Sequence, residues 1–260
     1  MNNIGLSSIG DRSLFFAPTA NPLQYRCVEL ENCMKKRRWV WFFSLLFASL
    51  LVVTSCGNNF DDVKNLKAGA GKQVIVLGDS IASGYGVDKT EAFPSVLSRQ
   101  LGLPILNRGV SGDTTAMGLS RLQKDAIAAE PWLVIVELGG NDFLRKIPKT
   151  ETEQNLRQIV TSIQQQQAIV VLLGINLGYI EDEYDELYQR VAKDTQAYLI
   201  PQVLTGIVDD PKNRQEDIIH PNAAGHQILA TRVAKNLQPL LTQATWPPAL
   251  LQYRQSANQT

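Results

Sequence analysis

The sequence predicts an α/β fold: a three-layer α/β/α sandwich around a mostly parallel sheet of about five strands. Two observations carry this. Short, continuous apolar runs recur along the chain, as in strands buried on both faces. Stretches with helical spacing of apolar residues separate them, which is the βαβ pattern with its right-handed crossovers.

The elements follow in order. Val74-Ile75-Val76-Leu77 is the first strand. Phe93, Val96, Leu97 and Leu101 share one face of a helix over 93–101. Ile105-Leu106-Asn107, after Pro104, is a short second strand. Met117, Leu119, Leu122, Ala126 and Ile127 mark a helix over 117–129. Pro131 introduces the third strand, Trp132–Val136. A polar helix covers 151–166, with Thr150 as its cap and Glu153 three residues on. Ala168–Leu173 is the fourth strand. Tyr184, Leu187, Tyr188, Val191 and Tyr198 give a charged amphipathic helix over 182–198. Leu199–Leu204 is a weaker fifth strand. The last helix, 222–238, carries Ile228, Leu229, Val233 and Leu237. These elements make one domain over 73–243. The tail 244–260 holds two prolines and many polar residues, so it reads as loose.

Apolar residues are 44% of the 260 and charged residues 19%, which excludes a disordered chain. Lys plus Arg and Asp plus Glu are 25 each, so there is no basic surplus and no sign of nucleic-acid binding. Three cysteines, at 27, 33 and 56, are too few and too crowded for a disulfide framework or a zinc site. Only two histidines occur, His220 and His226, and a histidine base must be one of them.

The averages hide a division. Lys35-Lys36-Arg37-Arg38 precedes an uncharged stretch, Trp39 to Val53, too short for a spanning helix and followed by small residues. A basic region, a short apolar region and small residues describe a secretory signal. Its end, Val53-Thr54-Ser55-Cys56, resembles the bacterial lipobox, which implies that Cys56 is acylated and begins the mature chain. Residues 34–55 are then a lipoprotein signal peptide. Residues 1–33 are an upstream extension or a segment lost with the signal. A retained anchor and plain secretion are the alternatives. Residues 1–56 carry six basic and three acidic residues, so the remainder is net −3 and has no attraction of its own to anionic lipid. Membrane attachment would rest on the acyl chains of Cys56. Residues 56–72 comprise that cysteine and a polar, glycine-containing stretch read as a flexible tether. The expected location is the bacterial cell envelope, facing the periplasm or the exterior.

Ligands of parallel sheets bind outside the carboxyl ends of the strands, so the loops there matter most. After the first strand comes Gly78-Asp79-Ser80, after the second Asn107 to Thr114, and after the third Glu137 to Asp142. Asp217-Ile218-Ile219-His220-Pro221 lies just before the last helix. One rim thus collects Ser, Gly, Asn and an Asp/His pair.

This set resembles the SGNH, or GDSL, hydrolase superfamily. The four blocks stand in family order from Gly78 to Pro221. VLGDSIASGYG, GVSGDTT, ELGGNDFLR and HPN are similar to the bacterial periplasmic thioesterase, lysophospholipase and arylesterase branch. The resemblance implies a flavodoxin-like sheet and a serine ester hydrolase with a small ester or lipid as substrate, no cofactor and no metal; the sequence leaves the oligomeric state open, with a monomer as the expectation. Ser80 would be the nucleophile, His220 its base and Asp217 the group that orients the imidazole. The backbone N–H groups of Ser80 and Gly112 and the amide of Asn141 would form the oxyanion hole. The G-x-S-x-G elbow of α/β-hydrolases is absent, since Asp113 takes the last glycine position after Gly109-Val110-Ser111-Gly112. Ser111 lacks the strand-to-turn position of Ser80.

Other residues have plainer readings. Asp79 caps the helix entry after the first strand, with a direct catalytic role as the alternative, Asp142 is a loop hydrogen-bonder, and Asp113-Thr114 helps fix the Gly112 turn. His226 is structural or partly exposed. Gly174 to Ile180 stands where many thioesterase-type relatives have a longer Arg-Pro-Asn-Tyr-Gly loop, which leaves acyl-chain preference open. A carbohydrate or peptidoglycan O-deacetylase and a non-catalytic binding lipoprotein are the competing functions.

Overall fold

The computed structural model describes residues 60–175 and 182–257. The signal segment, Cys56 and residues 176–180 of the remade loop lie outside the described residues.

Five parallel strands run in the order β2-β1-β3-β4-β5: β1 (Gln73–Gly78), β2 (Ile105–Gly109), β3 (Pro131–Glu137), β4 (Ile169–Leu173) and β5 (Tyr198–Ile200). The central strands β1, β3 and β4 are the continuous apolar runs, and almost every residue in them is buried. The edges are different. β2 exposes Asn107 and Arg108, and β5 is only three residues long. Short or polar edges discourage pairing with another chain.

The helices are α1 (Ser80–Ser83), α2 (Phe93–Leu101), α3 (Thr115–Asp125), α4 (Gly140–Leu144), α5 (Lys149–Gln164), α6 (Asp182–Thr195), α7 (Ala223–Gln243) and α8 (Arg254–Ala257). α2 packs on α7, while α3 packs on α5 and α5 on α6. This pairing is the expected three-layer arrangement. The order reverses at β1: β2 lies on one side of it and β3 on the other. The crevice between the carboxyl ends of β1 and β3 is therefore the switch point, where ligands bind in open α/β sheets.

Several boundaries differ from expectation, each for a local reason. α3 starts at Thr115, because the Thr114 hydroxyl accepts the Met117 N–H at 3.3 Å, and it gives way to a 3-10 turn over Ile127–Ala129. α5 begins at Lys149 behind Pro148, so Thr150 lies inside the helix and is not its cap. Glu153 instead pairs with Arg157 and Arg190. Tyr198 belongs to β5, and α6 ends at Thr195. α7 runs past Pro239 to Gln243, since Leu237, Leu240 and Leu241 on its inner face are buried and outweigh the missing N–H.

Two segments expected to be loose are packed. Between Phe60 and Lys72 the chain is no free tether. Phe60 is buried edge-on against Tyr198, with ring centroids 5.3 Å apart. The Asn65 amide donates to the carbonyls of Gln164 and Ala168, and the Lys72 N–H to that of Glu130. These partners all precede strands, so the segment closes the amino ends of β3, β4 and β5. The tail is held at the same end. Trp246 is buried beside Trp132, ring centroids 4.6 Å apart, and Leu250 and Ala257 are buried too. The aromatic residues of both segments cover that apolar rim.

His226 is wholly internal, at 1% exposure, and its Nδ1 accepts the N–H of Phe93 at 3.2 Å. Burial, aided by the nearby His220, lowers its pKa to about 4. Folded His226 thus stays neutral where the unfolded chain binds a proton, so its contribution is present above the unfolded value of about 6.5 and is lost as pH falls toward 4. The stability difference between the natural chain and His226→Leu should fall by up to about 3 kcal/mol between about pH 7 and about pH 4, measured by urea unfolding. A difference independent of pH would contradict a buried neutral imidazole.

Candidate active site

The carboxyl ends of β1, β2 and β3 surround a cleft of about 320 Å³. Ser80 stands at its floor, one turn past β1. The chain can bend there because Gly78 has no side chain: a Cβ on it would fall 2.5 Å from the Glu137 carboxyl and 2.6 Å from Ala82. Asp79 caps α1, its Oδ1 accepting the Ile81 N–H at 3.0 Å.

His220 arrives from the loop before α7. Its Nε2 is 2.8 Å from Ser80 Oγ, and its Nδ1 is 2.6 Å from Asp217 Oδ2. With Nδ1–H donating to the carboxylate, Nε2 keeps a lone pair for the serine proton. The other oxygen of Asp217 accepts the backbone N–H groups of Ile219 and His220, at 3.1 and 3.0 Å. Against a partial burial that raises it, these bonds and the His220 ring hold the Asp217 carboxyl below its ordinary range. The turn is strained: Ile218 has φ of 63°, a left-handed conformation that a β-branched residue rarely adopts. Gln215 braces it, donating through its side chain to the Tyr85 carbonyl and through its backbone to that of His220. The Tyr85 ring rests on the imidazole, centroids 4.6 Å apart.

Gly112 takes φ of +85°, open to glycine and costly for other residues. Gly112 lines the cleft. Arg145 donates to the Gly112 carbonyl at 2.7 Å, and Thr114 caps α3 just behind. Arg121 ties this loop to β1 through Asp113 at 2.6 Å and the Gly78 carbonyl at 3.0 Å. Among the described residues, no protein group accepts the N–H of Ser80 or of Gly112, and both residues line the cleft. They are two donors at the Ser80 turn from which an anionic oxygen could accept.

Asn141, at the start of α4, lines the same cleft. Its amide already donates to Asp79 Oδ2 at 3.1 Å and to the Asp113 carbonyl at 3.0 Å. An oxyanion would have to share one of these protons. The Asp113 acceptor is a neutral carbonyl, and a charged oxygen is a stronger acceptor than that.

The structure thus brings together Ser80, Asp217, His220, Gly112 and Asn141. Ser111 also lines the cleft, but its hydroxyl is 2.8 Å from that of Ser83, whereas the His220 imidazole meets Ser80. Asp142 is buried and accepts from Thr115 and Thr152, a purely structural set of bonds. Among the described residues no group of three or more His, Cys, Asp or Glu side chains could hold a metal ion. Sequence reasoning overlooked Tyr85, Gln215 and Glu137. Glu137 did carry a signal, as a lone acid closing the apolar run of β3.

Residues 76–228 match the model of the GDSL-like lipase/acylhydrolase family. The chain belongs to that family. It is 35% identical over 182 residues to "Thioesterase 1/protease 1/lysophospholipase L1" of Escherichia coli K12, covering 67% of this chain and 88% of that protein. It is 32% identical over 178 residues to "Arylesterase" of Vibrio mimicus, covering 65% and 89%. The crystal structure of TesA superposes with a TM-score of 0.61 at 31% identity, over 65% of this chain and 99% of that one. The GDSL-family match takes in all five converging residues.

Asn141→Ala should lower kcat by about 10²–10³-fold with a much smaller change in KM, because the donor matters only once the oxyanion forms. Steady-state kinetics on an aryl ester checks this. An unchanged kcat would remove Asn141 from the oxyanion hole.

Proposed function

We propose that the chain is a serine hydrolase of carboxylic esters and thioesters that works through an acyl-enzyme on Ser80. The observation that carries this reading is the unbroken line from Asp217 through His220 to Ser80, ending beside two uncommitted N–H donors. Ser80 Oγ attacks the carbonyl carbon as its proton passes to His220 Nε2. Asp217 stabilises the imidazolium through the Nδ1–H bond. The N–H groups of Ser80 and Gly112, joined by the Asn141 amide, receive the negative oxygen. The leaving alcohol or thiol then takes the proton from His220. Water, deprotonated by the same imidazole, releases the acid and restores Ser80.

The cleft walls favour an acyl chain over an acetyl group alone. Ile81, Tyr85, Leu144, Ile175 and Ile219 line it. Each methylene they cover adds about 0.8 kcal/mol, or up to about fourfold in kcat/KM. Across p-nitrophenyl esters of rising length, kcat/KM should climb over the first carbons and level off where the chain leaves the cleft. A maximum at acetate with a fall thereafter would favour a deacetylase.

We also propose that the enzyme is a lipoprotein of the bacterial envelope, acylated on Cys56. The support is the lipobox-like sequence and the place where the chain joins the body. Phe60, four residues after Cys56, packs at the amino ends of the strands, opposite the cleft. In cells expressing the chain from Met34, Cys56→Ala should move the protein from the membrane to the soluble fraction. Persistent membrane association would indicate an uncleaved apolar anchor instead.

A further inference from the structure

The mechanism leaves one buried acid without a task. Glu137 ends β3 at 0% exposure, directly beneath the nucleophile turn. Its Oε2 accepts the N–H of Asp79 at 3.2 Å and that of Ala82 at 3.1 Å. These two groups flank Ser80, so one carboxyl oxygen sets the backbone on both sides of the nucleophile. Its other oxygen, Oε1, is buried without a hydrogen-bond partner among the described residues.

A second carboxyl group lies against it. Asp79 is buried too, and its backbone N–H bond to Glu137 brings the two acids into one pocket. Both Asp79 oxygens act as acceptors, Oδ1 from Ile81 and Oδ2 from the Asn141 amide. Two adjacent carboxylates in one dry pocket cannot both keep their charge. The bonding decides which one does. Asp79 has donors on both oxygens and faces His220. Glu137 would have to place half its charge on an oxygen with no donor at all, which costs far more than a neutral acid there.

We propose that Glu137 is a positioning residue that stands as an uncharged carboxylic acid, bracing the Ser80 turn while leaving Asp79 as the single anion that holds Asn141. Burial first, and the neighbouring Asp79 second, push the Glu137 carboxyl far up, whereas burial lifts Asp79 only to about 6. The other ionisable groups facing the pair fit this assignment. Tyr188 is a buried phenol donating to the Leu138 carbonyl, Asp113 is paired with Arg121, and Asp142 is tied up by threonines. An ionised Glu137 would have no ion-pair partner among the described residues. One charge on Asp79 suits the site, because it steadies the Asn141 amide and lies near the imidazolium that forms on His220.

The inference deepens the hydrolase reading, and its first measurement does not depend on that reading. Infrared difference spectra of the intact chain near pH 7.5 should show the carbonyl band of a protonated carboxylic acid, and Glu137→Gln should remove it. Kinetically, Glu137→Gln keeps the accepting oxygen and the neutral charge, so kcat should stay within about threefold. Glu137→Ala frees both N–H groups and should lower kcat about 100-fold with KM nearly unchanged. Absence of a band that Glu137→Gln removes overturns the assignment. So does a Glu137→Gln variant that is as impaired as Glu137→Ala or fails to fold, since either would mean that the charge itself is needed. Loss of ester turnover in every form, with the band intact, would sink the hydrolase reading and leave the protonation of Glu137 standing.

Discussion

The 2.8 Å contact between Ser80 and His220 is the interaction that the surrounding structure serves. A serine hydroxyl is a weak nucleophile without a base at hydrogen-bond distance. The chain has two imidazoles, and His226 is sealed in the core as an acceptor for the Phe93 N–H. His220 must therefore span a sequence gap of 140 residues to meet Ser80. The parallel sheet makes that possible by placing each strand's carboxyl end on one rim. The Ile218 strain, the Gln215 brace and the Tyr85 ring then fix the last few ångströms.

The same rim shows how positive and negative partial charges are apportioned. Ser80 and Gly112, whose N–H groups have no acceptor among the described residues, line the cleft where negative charge can develop. Acceptors are kept busy behind them: Asp79, Asp113 and Asp142 are each engaged with N–H or O–H donors or with Arg121. Such division lets a low-dielectric site favour an anion that is absent in the resting state. Its cost is a crowded layer of carboxyl groups under the nucleophile, where one of them cannot stay charged.

Much of this was legible in the sequence because the signals are local. Continuous apolar runs marked β1, β3 and β4, and short blocks after the strands held Ser80, Gly112, Asn141, Asp217 and His220. Helix ends were less legible, since caps compete: Pro148 displaced Thr150 as the start of α5, and tertiary packing carried α7 through Pro239. The polar look of 60–72 and of 244–257 misled, because a few aromatic residues, Phe60 and Trp246, decide whether such segments pack. Contacts between distant blocks left no local trace. Nothing near Tyr85 announces that its ring meets His220, and Glu137 shows only as an acid out of place in an apolar strand.

The central claim is that one oxygen of a reacting carbonyl can meet three donors while Ser80 holds its carbon. The most direct measurement is a crystal structure of the chain after reaction with a fluorophosphonate, whose phosphorus mimics the tetrahedral centre. The account predicts phosphorus on Ser80 Oγ and one phosphonyl oxygen about 3 Å from the Ser80 and Gly112 nitrogens and the Asn141 amide. An adduct on another serine, or a phosphonyl oxygen turned to solvent with those donors unengaged, would contradict it.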